Sequence, residues 1–129
     1  QTRNKIRIDA GKRMGTIMPA EWKLIQSEYP ETKTNFLVKA IHEEEILIEK
    51  IITLINRKKG RDLYDVWFLL EKQIPINKEL FFKKTRERFN IEKIPKEKEY
   101  TQDVEKLTNR IIPYNQIIKT IEKKLKNLL

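Results

Sequence analysis

The sequence contains no cysteine and a single histidine, His42. The first absence removes disulfides and thiolate metal sites from consideration. The second argues against a histidine-rich metal centre and leaves His42 as a loop or helix-start residue. No apolar run approaches the roughly 18 to 20 residues that span a bilayer. No signal peptide is recognisable, so a cytoplasmic protein with no membrane partner is expected. An initiator methionine is missing too. The chain opens on Gln1, and its first segment reads like the middle of a longer product. Internal repeats and low-complexity tracts are absent.

Positive charge is abundant. Twenty-eight Lys and Arg stand against 19 Asp and Glu, a formal net charge of +9. That excess favours anionic partners such as nucleic acid or nucleotide phosphates, although a basic surface also serves solubility. A chain of 129 residues can bury a genuine core. It fits one domain, or a small domain plus part of another.

Hydrophobic periodicity organises the rest. Residues 4–10, NKIRIDA, alternate as a strand with one wet face, which carries Lys5, Arg7 and Asp9. A second strand is expected over 35–40, NFLVKA. A short helix is predicted from Pro19 to about Ser27, with Trp22 and Ile25 on its apolar face. Two short strands make a poor sheet, which again suggests strands missing upstream. From Glu43 to Lys58, Leu47, Ile48, Ile51, Ile52, Leu54 and Ile55 form one broad apolar arc. Gly60 interrupts the pattern. A helix from Arg61 to Glu71 is then apolar on most sides, with Trp67 and Phe68 read as core aromatics. Further helices are predicted over 78–89, 102–112 and 114–128, and residues 90–100 as an exposed charged loop. The last helix carries Lys119, Lys123 and Lys126 opposite its apolar face. The fold class is therefore α+β, mostly α.

Charged residues occupy fixed offsets inside the apolar hairpin 45–70: Glu49-Lys50, Arg57, Arg61-Asp62 and Asp65. Burying a charge is costly unless it is paired or used. Lys50 and Arg57 lie on one face, two turns or roughly 10 Å apart. Lys50 either pairs with Glu43, Glu49 or Asp65 to hold the hairpin, or reaches a ligand. Arg57 and Asp62 suit a salt bridge across the turn, and Asp62 also suits the helix dipole. Arg61 and Asp65 are an i, i+4 pair. Lys58-Lys59 is a basic turn, open either to solvent or to RNA.

This order and spacing resembles the AbiEii/AbiGii toxin family of nucleotidyltransferases, whose core is built like DNA polymerase β. In that family a Glu-Lys helix with a following arginine runs into an Arg-Asp-x-x-Asp helix, as Glu49-Lys50, Arg57 and Arg61-Asp62-x-x-Asp65 do here. Thr53 stands where the family usually has alanine. The family's Gly-Ser motif and paired aspartates have no counterpart in this sequence. The resemblance therefore implies that they lie upstream of Gln1 and that these 129 residues alone are inactive. Residues 1–41 would be the trailing strands of the transferase core, and 42–129 a helical domain forming one wall of the site.

The resemblance further implies transfer of a nucleotide from an NTP to an RNA acceptor, with tRNA the expected one, by a toxin with a cognate antitoxin. Lys50 would bind the nucleotide phosphates and Asp65 would complete the catalytic site. Asp9 would stand at the third core carboxylate, as a ligand for Mg²⁺. Arg57, Arg61 and Asp62 would support them. Such chemistry needs carboxylates for metal ions and cations against a triphosphate. The alternative is a non-catalytic basic helical module that binds nucleic acid through the lysine face of its last helix.

Overall fold

The computed structural model describes residues 15–26 and 35–129. The expected strand over 4–10, and Asp9 with it, lies outside the described residues. Within them the chain is α+β and mostly helical, two strands followed by five α-helices. Strand β1 (Glu21–Ile25) pairs antiparallel with β2 (Phe36–Ala40), Glu21 opposite Ala40 and Ile25 opposite Phe36. β2 agrees with the expected strand. β1 corrects the helix predicted from Pro19. The i, i+3 spacing of Trp22 and Ile25 suggested a helix, but Glu21, Trp22, Lys23 and Leu24 also alternate. Trp and Ile favour strands, and the FLVKA ladder decides between the two periods.

Helix α1 (Glu43–Arg57) starts at His42, whose Nδ1 accepts from the Glu44 amide at 3.2 Å. Glu43, Glu44 and Glu45 fill its first turn, where the helix dipole favours anions. Leu47, Ile48, Ile51 and Leu54 are wholly buried. Lys58, left-handed at φ 53°, ends the helix with its N–H on the Leu54 carbonyl at 2.9 Å. Gly60 does not break the chain as expected. It is the first residue of α2 (Gly60–Glu71) and is buried. A Cβ there would lie 2.6 Å from Tyr100 Cα and 2.9 Å from the Glu99 carbonyl oxygen, so a side chain is excluded by close approach of another helix.

That helix is α4 (Glu97–Glu105), and it corrects two expectations. Its first turn falls in the stretch read as an exposed loop, and it ends seven residues before Ile112. Its charged first turn hides the helix in the sequence. Glu97 and Glu99 suit a first helical turn, and Tyr100 and Val104, one turn apart, are the buried face. The Tyr100 hydroxyl donates to the Ile112 carbonyl at 2.6 Å. Burial, with Tyr64 nearby, pushes that hydroxyl up to about 12.

Helix α3 (Lys78–Thr85) is capped by Asn77 and closes on left-handed Arg86, four residues earlier than expected. A short 3-10 turn follows at Ile91–Lys93. Helix α5 (Tyr114–Lys124) likewise stops early, and a 3-10 turn at Lys126–Leu128 completes the chain's last apolar face. α2 packs against α1, α4 and α5, which accounts for its nearly all-round apolar sequence. Lys124 Nζ donates to the Leu70 carbonyl at 3.0 Å, closing the C-terminal end of α2. Phe68 is a correction: it is 46% exposed, not a core residue. Trp67 is partly buried against the core. No helix among the described residues is long and apolar enough to cross a membrane.

Candidate functional site

Helices α1 and α2 run back from their shared turn, so residues on facing sides meet in pairs. Lys50 Nζ lies 3.0 Å from Asp65 Oδ2. Of the three carboxylates open to Lys50 in the sequence, the fold selects Asp65. Both side chains stay partly open, at 40% and 44% exposure. Nearer the connection, Arg57 Nε lies 3.4 Å from Asp62 Oδ2. Asp62 is buried, and its Oδ2 accepts no hydrogen bond among the described residues. The contact with Arg57 is therefore an ion pair without good hydrogen-bond geometry. Arg61 and Asp65 form no ion pair among the described residues. Arg61 points instead into a shallow groove shared with Lys59, Asp103 and Lys106.

A groove of about 330 Å³ runs along this face. Glu49, Lys50, Thr53 and Arg57 of α1 and Asp62 of α2 line it, over Ile41 and Ile46. The Thr53 hydroxyl donates back to the Glu49 carbonyl at 2.8 Å, so its proton is committed to the helix backbone. A second hollow, of about 270 Å³, lies between α1 and α3 above Ile52, Ile55 and Phe81. It holds neither Lys50 nor Asp65.

Behind the groove sits a network the sequence reading did not find. Lys84 of α3 reaches Glu45 Oε1 at 2.8 Å and also bonds to Glu49. Glu45 is wholly buried. Its oxygens accept the Ile17 amide at 2.7 Å and the Met18 amide at 2.8 Å. Burial works to raise the Glu45 pKa, but the bonds from Lys84, Ile17 and Met18 outweigh it and hold the carboxyl below its usual range. For Lys84 burial works downward, and the bonds to Glu45 and Glu49 reverse it and raise the ammonium. The network ties the segment before β1 to α1 and fixes Glu49, the neighbour of Lys50. A partial signal existed: Glu45 and Glu49 stand one turn apart at the edge of the apolar arc. Nothing local pointed to Lys84, which lies 35 residues beyond Glu49.

Among the described residues, no group of three or more His, Asp or Glu side chains is placed to hold a metal ion. Asp65 is already engaged by Lys50, and Asp9 lies outside the described residues. The described donor set alone does not fit a magnesium ion. What it offers is a cation and a carboxylate paired in partial exposure at the edge of an open groove.

A family model described as nucleotidyl transferase AbiEii toxin, type IV TA system, matches residues 1–127. No curated protein and no solved structure matches the chain.

Proposed function

The chain belongs to the AbiEii nucleotidyl transferase toxin family of type IV toxin–antitoxin systems, and on that premise we propose that its groove serves nucleotide transfer from an NTP to the 3′ end of an RNA, tRNA being the favoured acceptor. Family membership implies NTP use and a cognate antitoxin. The observation that carries the reading is the open Lys50–Asp65 pair at 3.0 Å. An exposed ion pair is worth little, so a triphosphate with several charges displaces one carboxylate from Lys50 at small cost. The ammonium then meets phosphate oxygens as a point charge. Asp65, released beside it, is placed to orient the acceptor hydroxyl or accept its proton. Arg57 and Asp62 hold the turn, and Lys84 holds Glu49, so that Lys50 presents from a fixed helix face.

In this reading residues 1–41 belong to the transferase core lobe and residues 42–129 form the helical wall. Magnesium, when bound, would neutralise charge on the attacking and leaving oxygens. Asp9 is the ligand proposed from this chain, and no step above rests on it.

The test is transfer from radiolabelled NTP to tRNA by the intact protein in Mg²⁺. Labelled 3′ ends are expected, and Lys50→Ala and Asp65→Ala should each lower kcat/KM by about 10²–10³. Absence of label on any RNA, or label undiminished in both variants, overturns the proposal.

One observation favours a second reading. Lys119, Lys123 and Lys126 are exposed on α5 and its following turn, and none has an ion-pair partner among the described residues. In a binding module, charge reversal there removes RNA binding and flattens its salt dependence. In the transferase those changes are tolerated and Lys50→Ala is not.

A further inference from the structure

Phe68 and its neighbours on α2 form a surface that the site chemistry does not use. At roughly 100° per residue, Arg61, Asp65, Phe68 and Lys72 fall within about 60° of one another on the helix. Arg61, Phe68 and Lys72 are exposed and Asp65 is half-buried. The strip thus starts at a cation, passes the carboxylate that Lys50 holds, and ends at an open aromatic ring with a second cation. Lys72 Nζ stands 4.7 Å from the Phe68 ring centroid. At the other end, Arg61, Lys59 and Lys106 border a groove of about 220 Å³. Its one carboxylate, Asp103, accepts the Gly60 amide at 2.8 Å. None of these four cations has an ion-pair partner among the described residues.

Phe68 has no structural duty to explain its exposure. The core of α2 is made by Leu63, Val66 and Leu70. An aromatic face flanked by unpaired cations is what a single-stranded nucleic acid binds, with phosphates on the cations and a base on the ring. An exposed cation–π contact is weaker than a base stacked on an aromatic ring. A base therefore displaces Lys72 from the ring and leaves its ammonium beside the base's own phosphate.

We propose that the outward strip of α2 is the track for the single-stranded end of the RNA acceptor, with Phe68 stacking a base next to the reacting end and the Lys59–Arg61–Lys106 groove holding phosphates upstream. This rests on the transferase reading for its geometry, but RNA binding can be measured without turnover.

The experiment is fluorescence anisotropy of labelled tRNA with the intact protein, without NTP, for wild type, Phe68→Ala, Phe68→Trp and Arg61→Ala. Phe68→Ala should weaken binding about tenfold, within the range for loss of one base stack. Phe68→Trp should restore it. Arg61→Ala should weaken binding and flatten its salt dependence by about one charge. In turnover, Phe68→Ala should raise KM for RNA and leave KM for NTP alone. RNA affinity within twofold of wild type in Phe68→Ala overturns the proposal, including the case in which that variant disrupts a protein–protein contact instead. If tRNA binds through Phe68 but no nucleotide is transferred, the transferase reading falls and this one stands. If transfer occurs with Phe68→Ala indistinguishable from wild type, only the track is lost.

Discussion

Two lysine–carboxylate contacts flank α1 at nearly the same distance, 2.8 Å for Lys84–Glu45 and 3.0 Å for Lys50–Asp65. Their surroundings are opposite. Lys84 and Glu45 are 11% and 0% exposed, whereas Lys50 and Asp65 are 40% and 44% exposed. The sealed pair has further bonds to two backbone amides and to Glu49; the open pair has only itself and a groove. Removing one partner of a sealed pair strands a charge where water cannot reach it. Removing one partner of an open pair leaves a charge that water solvates. The first arrangement resists change and suits structure. The second is easily exchanged for a ligand, which is what a binding lysine needs.

The contrast breaks most visibly at Lys84. Lys84→Ala should destabilise the protein by about 3–5 kcal/mol, because buried Glu45 then lacks its cation. Urea unfolding followed by circular dichroism checks this. A loss below about 1 kcal/mol would mean that water reaches Glu45 and that the two pairs are alike after all.

Gly60→Ala tests the hairpin that brings the open pair together. The new methyl group would collide with the backbone of Tyr100 and Glu99, neither of which can swing away as a side-chain tip can. A loss of about 1–3 kcal/mol is expected from overpacking. Thermal unfolding measures it. A neutral result would show that α4 shifts freely against α2.

What the sequence made legible follows the range of the interactions involved. α1 and α2 were readable because their apolar arcs repeat within each helix and their charged residues keep helical spacing. The Arg57–Asp62 bridge was readable for the same reason, since it spans only the turn. β1 is hidden in the sequence because its identity depends on pairing with β2, which no local pattern announces. α4 was misplaced because a charged first turn looks like a loop until Tyr100 and Val104 find α2. Glu45 suits the helix dipole by position alone, and its clamp is hidden in the sequence because Lys84 arrives from another helix. Within the site, the sequence leaves Lys50 open to Glu43, Glu49 or Asp65, and only the fold shows it paired with Asp65 and exposed.

pH sharpens the comparison from another side. Glu45 is held below its ordinary value, so its contribution is complete above the usual glutamate range near ~4.3. It is lost as pH falls through the lower folded-state value. Lys84 is held above its ordinary value, so its contribution persists at all lower pH and fades only in strong alkali. Wild type should therefore lose stability on acidification through this pair from the Glu45 side. Glu45→Gln should cost about 1–3 kcal/mol near neutrality, and its deficit against wild type should shrink below about pH 4. Differential scanning calorimetry between pH 3 and 7 reads the difference. A deficit that stays constant across that range would place the linkage on other carboxylates.

The smallest effect expected is also the most diagnostic. A double-mutant cycle on Lys50→Ala and Asp65→Ala should return a coupling of only about 0.2–1 kcal/mol for folding, as exposed pairs do. The same two substitutions should nearly abolish transfer, so the energy of the pair for stability and its worth for activity would differ widely. The cycle must be run on stability and turnover in the same preparations, because side chains in contact need not add. Coupling of several kcal/mol in folding would make Lys50–Asp65 a second structural clamp, with α1 and α2 held together by it rather than by Leu47, Ile51, Leu63 and Val66 between them. A ligand could then separate the pair only by loosening the hairpin, and the groove would lose its claim to be the place where a phosphate takes the carboxylate's position.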